Sequence, residues 1–275
     1  MTAYLKPPHS SLVIYVLRLT FYNYPMTRIS STFRRLGKAG EVAAIPYMPI
    51  GSPDVQTSRS LLPVIGRQGA DLIAFGPLLT LPGLGNNRGG QHTGASLHDC
   101  IGIAAEARRT NEVPLILVSD LAAALAYGLV MLADACAGSG IDGLLIPDLP
   151  LEEFASFAAI CAGAGTDPIP AVSVAIQDPA PLASAGGFVY FAPGSLSALD
   201  LDQVRTRILA AVPLPIVIGV AGDDPGMLPA TLNAADGILA GSGLAKHLTA
   251  HPQDEIMLEV SDYIRALKEA TTRVG

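Results

Sequence analysis

The sequence predicts one domain of the α/β class, a closed (β/α)8 or TIM barrel of eight parallel strands, each followed by a helix. The chain has 275 residues and half of them are hydrophobic. A (β/α)8 barrel commonly occupies about 250 residues as one domain. Charged residues make up 15% of the chain and aromatic residues 5%, with no Trp, so small aliphatic residues must fill the interior. Short β-branched runs alternate with longer Ala-rich amphipathic stretches, and this alternation is typical of parallel strands joined by crossover helices.

Eight short apolar runs are predicted as the strands. Parallel barrel strands are buried on both faces, and such strands are apolar throughout rather than alternating. In chain order the predicted strands are Ala43–Met48, Leu72–Phe75, Pro114–Ser119, Gly143–Ile146, Ile169–Ala175, Phe188–Phe191, Pro215–Ile218 and Gly237–Ala240.

A helical pattern follows each predicted strand. Eight βα units without interruption favour closure into a barrel over an open doubly wound sheet. In chain order the predicted helices are Asp54–Gly66, Ser96–Arg109, Ala123–Ala137, Glu152–Ala162, a short one near Ala180–Ala185, Leu201–Ala211, Gly226–Ala234, Gly243–His247 and a final one over Asp254–Ala270.

Residues 1–25 precede this pattern and do not fit it. Their apolar run LVIYVL, at Leu12–Leu17, is far shorter than the roughly 20 residues that span a membrane. No basic region or small-residue cleavage site marks a signal peptide. The segment MTRISSTFRRL, which begins at Met26, indicates an ordinary helix start. We therefore expect residues 1–25 to be an appendage, disordered or added by a misassigned start, and residues 26–275 to form the barrel.

Charge and cysteine usage exclude several classes of function. The net charge is −7 and no stretch is basic enough to follow a phosphate backbone, so we expect no nucleic-acid partner. No apolar run continues for 18 residues, so we expect no membrane association and a cytoplasmic protein. Cys100, Cys136 and Cys161 are far apart, which indicates buried free thiols. His247 and His251 lack an acidic third ligand in a suitable pattern, and we expect neither a metal nor a cofactor.

Functional residues of a (β/α)8 barrel lie at the carboxyl ends of its strands. The candidate site residues are therefore those that directly follow each predicted strand. These positions are Ser52–Asp54, Gly76, Asp120, Asp148, Gln177 and Asp178, Pro193–Ser197, Gly219–Asp224 and Gly241–Gly243.

Several segments of the chain resemble the tryptophan synthase α subunit. The most specific match is SGIDGLLIPDLPLEE at Ser139–Glu153, because the family often carries the PDLP-x-EE part nearly verbatim. IPYMPIGSPD at Ile45–Asp54 and GADLIAFG at Gly69–Gly76 resemble the family's first two strands. PIVIGVAGDDPG at Pro215–Gly226 and ADGILAGSGLAKHL at Ala235–Leu248 resemble its last two. The matches run in order over residues 26–273, so the resemblance covers the whole predicted barrel.

The resemblance implies the aldol cleavage of indole-3-glycerol phosphate to indole and glyceraldehyde 3-phosphate. It also implies a catalytic Glu at the end of the second strand and a catalytic Asp in the next loop, within a motif of the form PFSDPLADGP. Proton transfer at the indole ring needs these carboxylates. Here the Glu position is Ala74, and the loop Pro77–Gly94 contains no acidic residue. We therefore expect the parent reaction to be lost.

Two further departures from the family fall on the same rim. The family's loop after strand six carries SR-[AT]-GVTG, whose Thr and Gly help to hold the phosphate, and Pro193–Asp200 lacks this motif. The tyrosine expected after strand three is replaced by Asp120. In the family, the loops after strands two and three make much of the contact with the β subunit. Both loops are rewritten here, so we expect weak or no pairing with a standard tryptophan synthase β subunit.

The turns after the last two predicted strands have the residues expected of a ligand site. Gly241 and Ser242 follow strand eight and lead into a helix, where backbone N–H groups and a hydroxyl favour an anion such as phosphate. Gly219 keeps the turn after strand seven close-packed. Tyr47 and Tyr190 stand where the family has an aromatic residue of the indole pocket and a site tyrosine. The alternative is a purely structural Gly-rich turn and two tyrosines that only pack inward.

Asp120 and Asp148 end predicted strands three and four, which are neighbours about 4.8 Å apart. Two carboxylates at that spacing can share a proton, which raises one pKa and provides a general acid. We take these two residues and Tyr190 as the candidate catalytic residues. The alternative is structural: Asp148 caps the helix start at Pro150–Glu153, and Asp120 accepts backbone N–H bonds in its loop.

The sequence therefore predicts a diverged α-subunit homologue with a barrel-mouth pocket for a small molecule, either indole-like or anionic, for example phosphorylated. Three alternatives stay open. The chain is a repurposed lyase or cyclase of specialised metabolism that uses Asp120 and Asp148, a non-catalytic binding or regulatory protein, or a working α subunit whose carboxylates lie elsewhere. The last is disfavoured because no Glu occurs between Glu41 and Glu106.

Overall fold

A ring of parallel strands forms the centre of the molecule. The computed structural model describes residues 26–77, 80–81, 85–86, 94–173, 176, 178–191, 198–220, 235–250 and 255–272. Its strands are β1 (Ala43–Ile50), β2 (Ile73–Pro77), β3 (Thr80–Leu81), β4 (Gly85–Asn86), β5 (Leu115–Val118), β6 (Gly143–Leu145), β7 (Asp167–Ile169), β8 (Ala171–Val172), β9 (Val189–Phe191), β10 (Ile216–Val220) and β11 (Gly237–Ala240). Strands β3 and β4 form a separate antiparallel hairpin, and the others are parallel.

The ring closes through a strand that is interrupted at one residue. The sheet order is β7-β6-β5-β2-β1-β11-β10-β9-β8, and only Pro170 separates β7 from β8 in the chain. Proline has no N–H to donate to a strand ladder, so pairing breaks there. The Pro170 carbonyl still accepts a bond from the Tyr190 N–H at 2.9 Å. Strands β7 and β8 together are therefore the fifth of eight barrel strands, and the predicted (β/α)8 barrel is confirmed.

Helices cover the outside of this ring. They are α1 (Arg28–Ala39), α2 (Val55–Arg67), α3 (Leu97–Arg108), α4 (Leu121–Tyr127), α5 (Leu129–Gly138), α6 (Phe154–Ala164), α7 (Ala198–Ala211), α8 (Ser242–Ala250) and α9 (Ile256–Thr272), with 3₁₀ turns at Leu151–Glu153 and Ala180–Ser184. No single helix of the described ranges is both long and apolar enough for a membrane crossing. The α4 and α5 pair reaches the required length and composition only when its two helices, bent by 85°, are taken together.

Alternate residues along each strand divide the core in two. Ala43, Ile45 and Tyr47 of β1 point into the bore, and Ala44, Met48 and Ile50 of the same strand pack against the outer helices. Side chains of successive residues in a strand point to opposite faces, which explains this division. The bore cluster contains one or more residues from every ring strand except β8 and is completed by α1.

Helix α1 closes the amino-terminal end of the bore. Its buried face, formed by Ile29, Phe33 and Leu36, belongs to the same cluster as the inward strand residues. Thr27 and Ser30 form a capping box, in which each side chain accepts a bond from the other residue's backbone N–H. The predicted helix start at the segment that begins with Met26 is thus confirmed, and residues 1–25 lie outside the described residues.

Aspartates just before three of the strands hydrogen-bond neighbouring strands at the amino-terminal end of the barrel. Asp71 accepts a bond from the Ala44 N–H at 3.0 Å, Asp142 from the Leu115 N–H at 2.8 Å, and Asp236 from the Ile216 N–H at 2.9 Å. Each aspartate lies one or two residues before its own strand and accepts a hydrogen bond from a backbone N–H of the neighbouring strand. Contacts at this end of the barrel stabilise the fold, because the functional residues of a (β/α)8 barrel lie at the opposite rim.

Some predicted elements differ in detail. The helix predicted over Ala123–Ala137 is two helices that meet at Gly128, whose φ of 88° breaks the helical backbone. The helix predicted near Ala180–Ala185 is a 3₁₀ turn, and the strand predicted over Ile169–Ala175 begins at Asp167 and breaks at Pro170. The helix predicted over Gly226–Ala234 lies outside the described residues.

Candidate functional site at the carboxyl ends of the strands

Ala74 lies inside the barrel, at the second of the five positions of β2. Its Cα is paired in register with Tyr47 of β1 on one side and with Ile116 of β5 on the other. The methyl group is fully buried in the bore cluster. A side chain at this position points towards the barrel axis, which is the direction that a carboxylate would need to reach a ligand in the bore. A methyl group provides no proton donor or acceptor there.

Tyr47 spans from β1 to the end of β2. Its ring is fully buried, and its hydroxyl donates a hydrogen bond to the Pro77 carbonyl at 2.6 Å. Burial raises the pKa of this phenol well above its usual value, so it stays protonated and remains a donor. The phenol thus holds the beginning of the segment after β2 in place, while its ring fills the bore beside Ala74.

Tyr190 reaches across the bore from β9 to β10. It is fully buried, and burial raises its pKa above the ordinary phenol value. A Cβ at Gly219 would lie 2.9 Å from the Tyr190 Cζ, and the hydroxyl would be closer still. Gly219 is therefore the residue that leaves space for this phenol. The close packing predicted at Gly219 is present, and the group packed against it is Tyr190.

The turn after the last strand offers fewer amides than the sequence suggests. Gly241 is buried, and its N–H donates a bond to the Val220 carbonyl at 3.3 Å. Helix α8 begins at Ser242, as the anion-site prediction requires. An anion at this turn would therefore be held by backbone amides from Ser242 onwards. That part of the prediction stays a prediction.

Asp120 and Asp148 meet at the amino-terminal end of α4. Asp120 is the N-cap residue, and its carboxylate accepts a bond from the Ala123 N–H at 2.7 Å. The Asp148 carboxylate accepts a bond from the Leu121 N–H at 2.9 Å. The two strand ends thus bring both carboxylates to one helix terminus, where the helix dipole favours negative charge. Asp148 supports the helix after the preceding strand, and not the turn at Pro150–Glu153 as the structural alternative expected.

A pocket that sequence reasoning missed opens between the segments that follow β6 and β8. It has a volume of about 320 Å³ and lies between the 3₁₀ turn Leu151–Glu153 and the end of β8. Its polar lining includes Glu152, Ser173 and Asp178, and its apolar lining is completed by Leu151, Ala171, Val172 and Ile176. The PDLP-x-EE match was the available signal, because it places Glu152 four residues beyond Asp148 on the functional rim.

Other reactive groups are buried away from this rim or lie outside the described residues. Burial raises the pKa of the Cys136 and Cys161 thiols to about 12, so neither supplies a thiolate near neutral pH. Within the described ranges, no three His, Cys, Asp or Glu side chains are grouped to hold a metal ion. Most of the loop Pro77–Gly94, Gln177 and the candidate positions in 192–197 and 221–224 are not among the described residues.

Comparison with protein families gives one match over most of the chain. The family model described as tryptophan synthase alpha chain matches residues 33–272. The tryptophan synthase alpha chain of Chloroflexus aggregans is 32% identical over 269 residues, covering 90% of this chain and 100% of that protein. The corresponding chain of Chloroflexus aurantiacus is 32% identical over 266 residues, with 90% and 100% covered.

Solved structures show the same barrel at lower identity. Tryptophan synthase subunit alpha from Legionella pneumophila superimposes with a TM-score of 0.81 at 21% identity, covering 91% of this chain and 100% of that one. A chain of Mycobacterium tuberculosis tryptophan synthase gives a TM-score of 0.78 at 23% identity, with 91% and 100% covered. At these identities the likeness establishes the fold.

Proposed function

This chain belongs to the tryptophan synthase alpha chain family, and from that premise we propose that it binds a small indole-like or anionic molecule at the barrel mouth without performing the family's cleavage of indole-3-glycerol phosphate. The observation that carries the proposal is Ala74. This residue lies where the family resemblance puts a catalytic Glu, and its methyl group is buried between Tyr47 and Ile116. The segment after β2 contains no Asp or Glu between Pro77 and Gly94 to replace it.

The expected loss of catalytic rate follows from the chemistry of the parent reaction. Cleavage needs a proton delivered to the indole ring and a second group that accepts a proton or stabilises the cationic intermediate. A positioned acid or base typically contributes 10²–10⁴-fold to the rate. The absence of both carboxylates therefore predicts a turnover several orders of magnitude below that of an ordinary α chain.

Charges on the rim favour one orientation of an elongated ligand. The pocket by β8 is bordered by the carboxylates of Glu152 and Asp178, which repel an anionic group. The start of α8 at Ser242 lies across the barrel, where backbone amides favour negative charge. We expect the anionic end of the ligand near Gly219, Gly241 and Ser242, and its uncharged end towards Tyr47 and Tyr190.

If the chain catalyses a different reaction, Asp120 and Asp148 are the acids available at the rim. They share the terminus of α4, with one oxygen of each bonded to a helix amide. A repurposed lyase or cyclase would use Asp120 for proton transfer, with Asp148 as its neighbour and Tyr190 as a hydrogen-bond donor. Once a substrate is identified, Asp120→Asn should lower turnover at least 10²-fold with the fold intact.

A second candidate is an ordinary α chain. The observation that favours it is the 32% identity to two Chloroflexus alpha chains over their full length. Under this candidate, carboxylates other than those at the family positions would have to reach the indole ring. We rank it second because the bore around Ala74 is lined by apolar side chains and two phenols.

We also propose weak pairing with a β subunit of the standard tryptophan synthase type. The segments after β2 and β5, which make much of that contact in the family, are rewritten here. Stimulation of such a β subunit by this protein at micromolar concentration would overturn this part of the proposal.

Calorimetric titration with indole-3-glycerol phosphate and with inorganic phosphate tests the ligand site. We expect saturable binding of the former, weakened at least fivefold in Ser242→Asp, which adds a like charge where the phosphate is expected. Ser60→Asp, on the exposed side of α2, is the matched control and should bind like the unaltered protein. No binding by the unaltered protein, or equal binding by Ser242→Asp, would remove the anion site.

A further inference from the structure

Tyr263 of α9 packs on the first turn of α8, outside the ring of strands. Its side chain is buried, with an exposed fraction of 5%. A Cβ atom at Gly243, the second residue of α8, would lie 2.7 Å from the Tyr263 Cζ and Cε2 atoms, and nearer still to the hydroxyl oxygen. Any side chain at residue 243 would therefore overlap the phenol, so the ring lies directly against the backbone of this turn.

The same phenol also contacts the next turn of α8. The ring centroids of Tyr263 and His247 lie 5.1 Å apart. His247 follows Gly243 by four positions, so the two residues lie one above the other on the same face of the helix. The His247 Nδ1 atom lies 3.5 Å from a carboxylate oxygen of Glu259, which precedes Tyr263 by four positions on α9. One face of α9 is thus packed along two successive turns of α8.

Glycine at position 243 is explained by this contact. Glycine in a helix is less favourable than alanine, because it loses more conformational freedom on folding. Helical glycines elsewhere, such as Gly102 in α3 and Gly163 in α6, have no heavy atom of the described chain within 4 Å of a Cβ position. At Gly243, in contrast, the Tyr263 ring fills the space that a methyl group would need. The absence of a side chain at Gly243 therefore allows the two helices to meet.

The first turn of α8 is the part of the helix to which the proposed function assigns the anion. The first amides of an α-helix have no acceptor within the helix and are available to an anion. Hydrogen bonds weaken steeply when the donor is misaligned. Anion binding at this turn therefore depends on the orientation of the peptide units on either side of Gly243. A buried ring packed against Gly243 restricts that orientation, because closely packed groups cannot shift independently.

We propose that Tyr263 is a positioning residue for the anion site, a role that rests on the proposed function. Its ring contacts Gly243 and His247 and holds the first turn of α8 against α9. The amides of Ser242 and Gly243 then keep one orientation towards the anion. Tyr263 acts through the backbone of Gly243 and not by contact with the anion, which is a phosphate group or a group of similar size and charge.

Calorimetric titration of the full-length protein with inorganic phosphate tests this role. Gly243→Ala adds a methyl group where the Tyr263 ring lies, and we expect it to raise the Kd for phosphate about fivefold or more. Gly163→Ala, in α6, adds a methyl group that meets no such ring. It is the matched control and should bind phosphate like the unaltered protein. Phosphate affinity of the folded protein is a readout that a purely structural contact would leave unchanged.

Removing the ring tests the same contact from α9. We expect Tyr263→Leu to raise the Kd for phosphate about fivefold or more, and Tyr263→Phe, which keeps the ring, to raise it less. In the Tyr263→Leu background the methyl group of Gly243→Ala has room, so the double variant should bind phosphate within about twofold of Tyr263→Leu alone. Circular dichroism checks that each variant is folded. If Tyr263→Leu does not fold, the comparison of Gly243→Ala with Gly163→Ala decides the question alone.

Two different failures can be told apart by these titrations. Phosphate binding by the unaltered protein that is equally tight in Gly243→Ala would overturn the role of Tyr263 and leave the anion site of the proposed function intact. Additive weakening in the double variant would also overturn that role, because the two residues would then act independently. An unaltered protein that binds no phosphate would overturn the anion site itself, and the role of Tyr263 with it.

Discussion

At the residue scale, the bore near the functional rim is organised by two phenols and the small residues beside them. Tyr47 lies next to Ala74 and is bonded to the Pro77 carbonyl, and Tyr190 lies against Gly219. A larger side chain at either small position would have to displace a buried ring. The phenols and the small residues therefore constrain one another, and a methyl group at Ala74, rather than a carboxylate, lies beside the Tyr47 ring.

Gly219→Ala should destabilise the fold by about 1–3 kcal/mol, because the added methyl group overlaps the Tyr190 ring and cannot move away from it. Gly102→Ala in α3 is the control. A Cβ there has no heavy atom within 4 Å, and replacing a helical glycine typically stabilises by about 0.5–1 kcal/mol. Urea unfolding of both variants checks the pair, and equal stability of Gly219→Ala and the unaltered protein would contradict the contact.

Asp167 should make the stability of the fold depend on pH. Burial is the main cause that raises the pKa of its carboxyl to about 6, opposed by the Thr27 hydrogen bond, with Asp142 adding to the rise. Since the folded pKa lies above the unfolded value near 4, the stabilising contribution is complete below about pH 4 and is lost as the pH rises through about 6.

Asp167→Asn keeps an acceptor for Thr27 and removes the titration. Relative to this variant, the unaltered protein should lose roughly 1–3 kcal/mol of unfolding free energy between pH 4 and 7. The control is Asp134→Asn, whose side chain is exposed. Urea unfolding across this range measures the effect. Parallel curves for Asp167→Asn and the unaltered protein would show that Asp167 does not titrate in this window.

At the element scale, the chain breaks where its backbone chemistry requires a break. Pro170 interrupts the fifth barrel strand and Gly128 separates α4 from α5. Hydrophobic periodicity predicted one strand and one helix at these places, because a single Pro or Gly does not change the periodicity around it. The tight turn at Gly128 leaves α4 as a helix of seven residues, which depends strongly on its cap.

Asp120→Ala should therefore destabilise the fold by about 0.5–2 kcal/mol, since it removes the side chain that accepts the Ala123 N–H bond. Asp120→Asn should cost much less, because Asn is an equally good N-cap residue. Thermal unfolding of the two variants separates capping from any catalytic role. If Asp120→Ala is as stable as Asp120→Asn, the cap is not important to the helix.

At the scale of the whole molecule, the barrel was predictable and most of the site was not. The alternation of strands and helices predicted the ring and all eight barrel strands, since each βα unit has a strong local signal. The contacts of Asp120 and Asp148 with α4, the burial of Tyr190 against Gly219 and the pocket by Glu152 depend on how different strands meet in space. Hydrophobic periodicity within one segment carries no information about contacts between different segments.

The distribution of charge also depends on the folded structure more than on the overall composition. The sequence is mildly acidic overall, with a net charge of −7, but residues 110–204 contain eleven Asp and Glu residues and no Lys, Arg or His. Cations are placed elsewhere, as in α1, where Arg28 and Arg35 pair with Asp142 and Asp71 at the amino-terminal end of the barrel. Ion pairs thus stabilise the base of the barrel, whereas we propose ligand contact at the opposite rim.

Release of indole from indole-3-glycerol phosphate is the measurement that tests the central claim most directly. The Chloroflexus aggregans alpha chain, assayed under identical conditions, provides the reference. Because Ala74 and the segment Pro77–Gly94 provide no carboxylate, we expect this protein to release indole at least 10²-fold more slowly, even at saturating substrate. Turnover within a few-fold of the reference chain would show that the parent reaction is intact and that other residues carry its proton transfers.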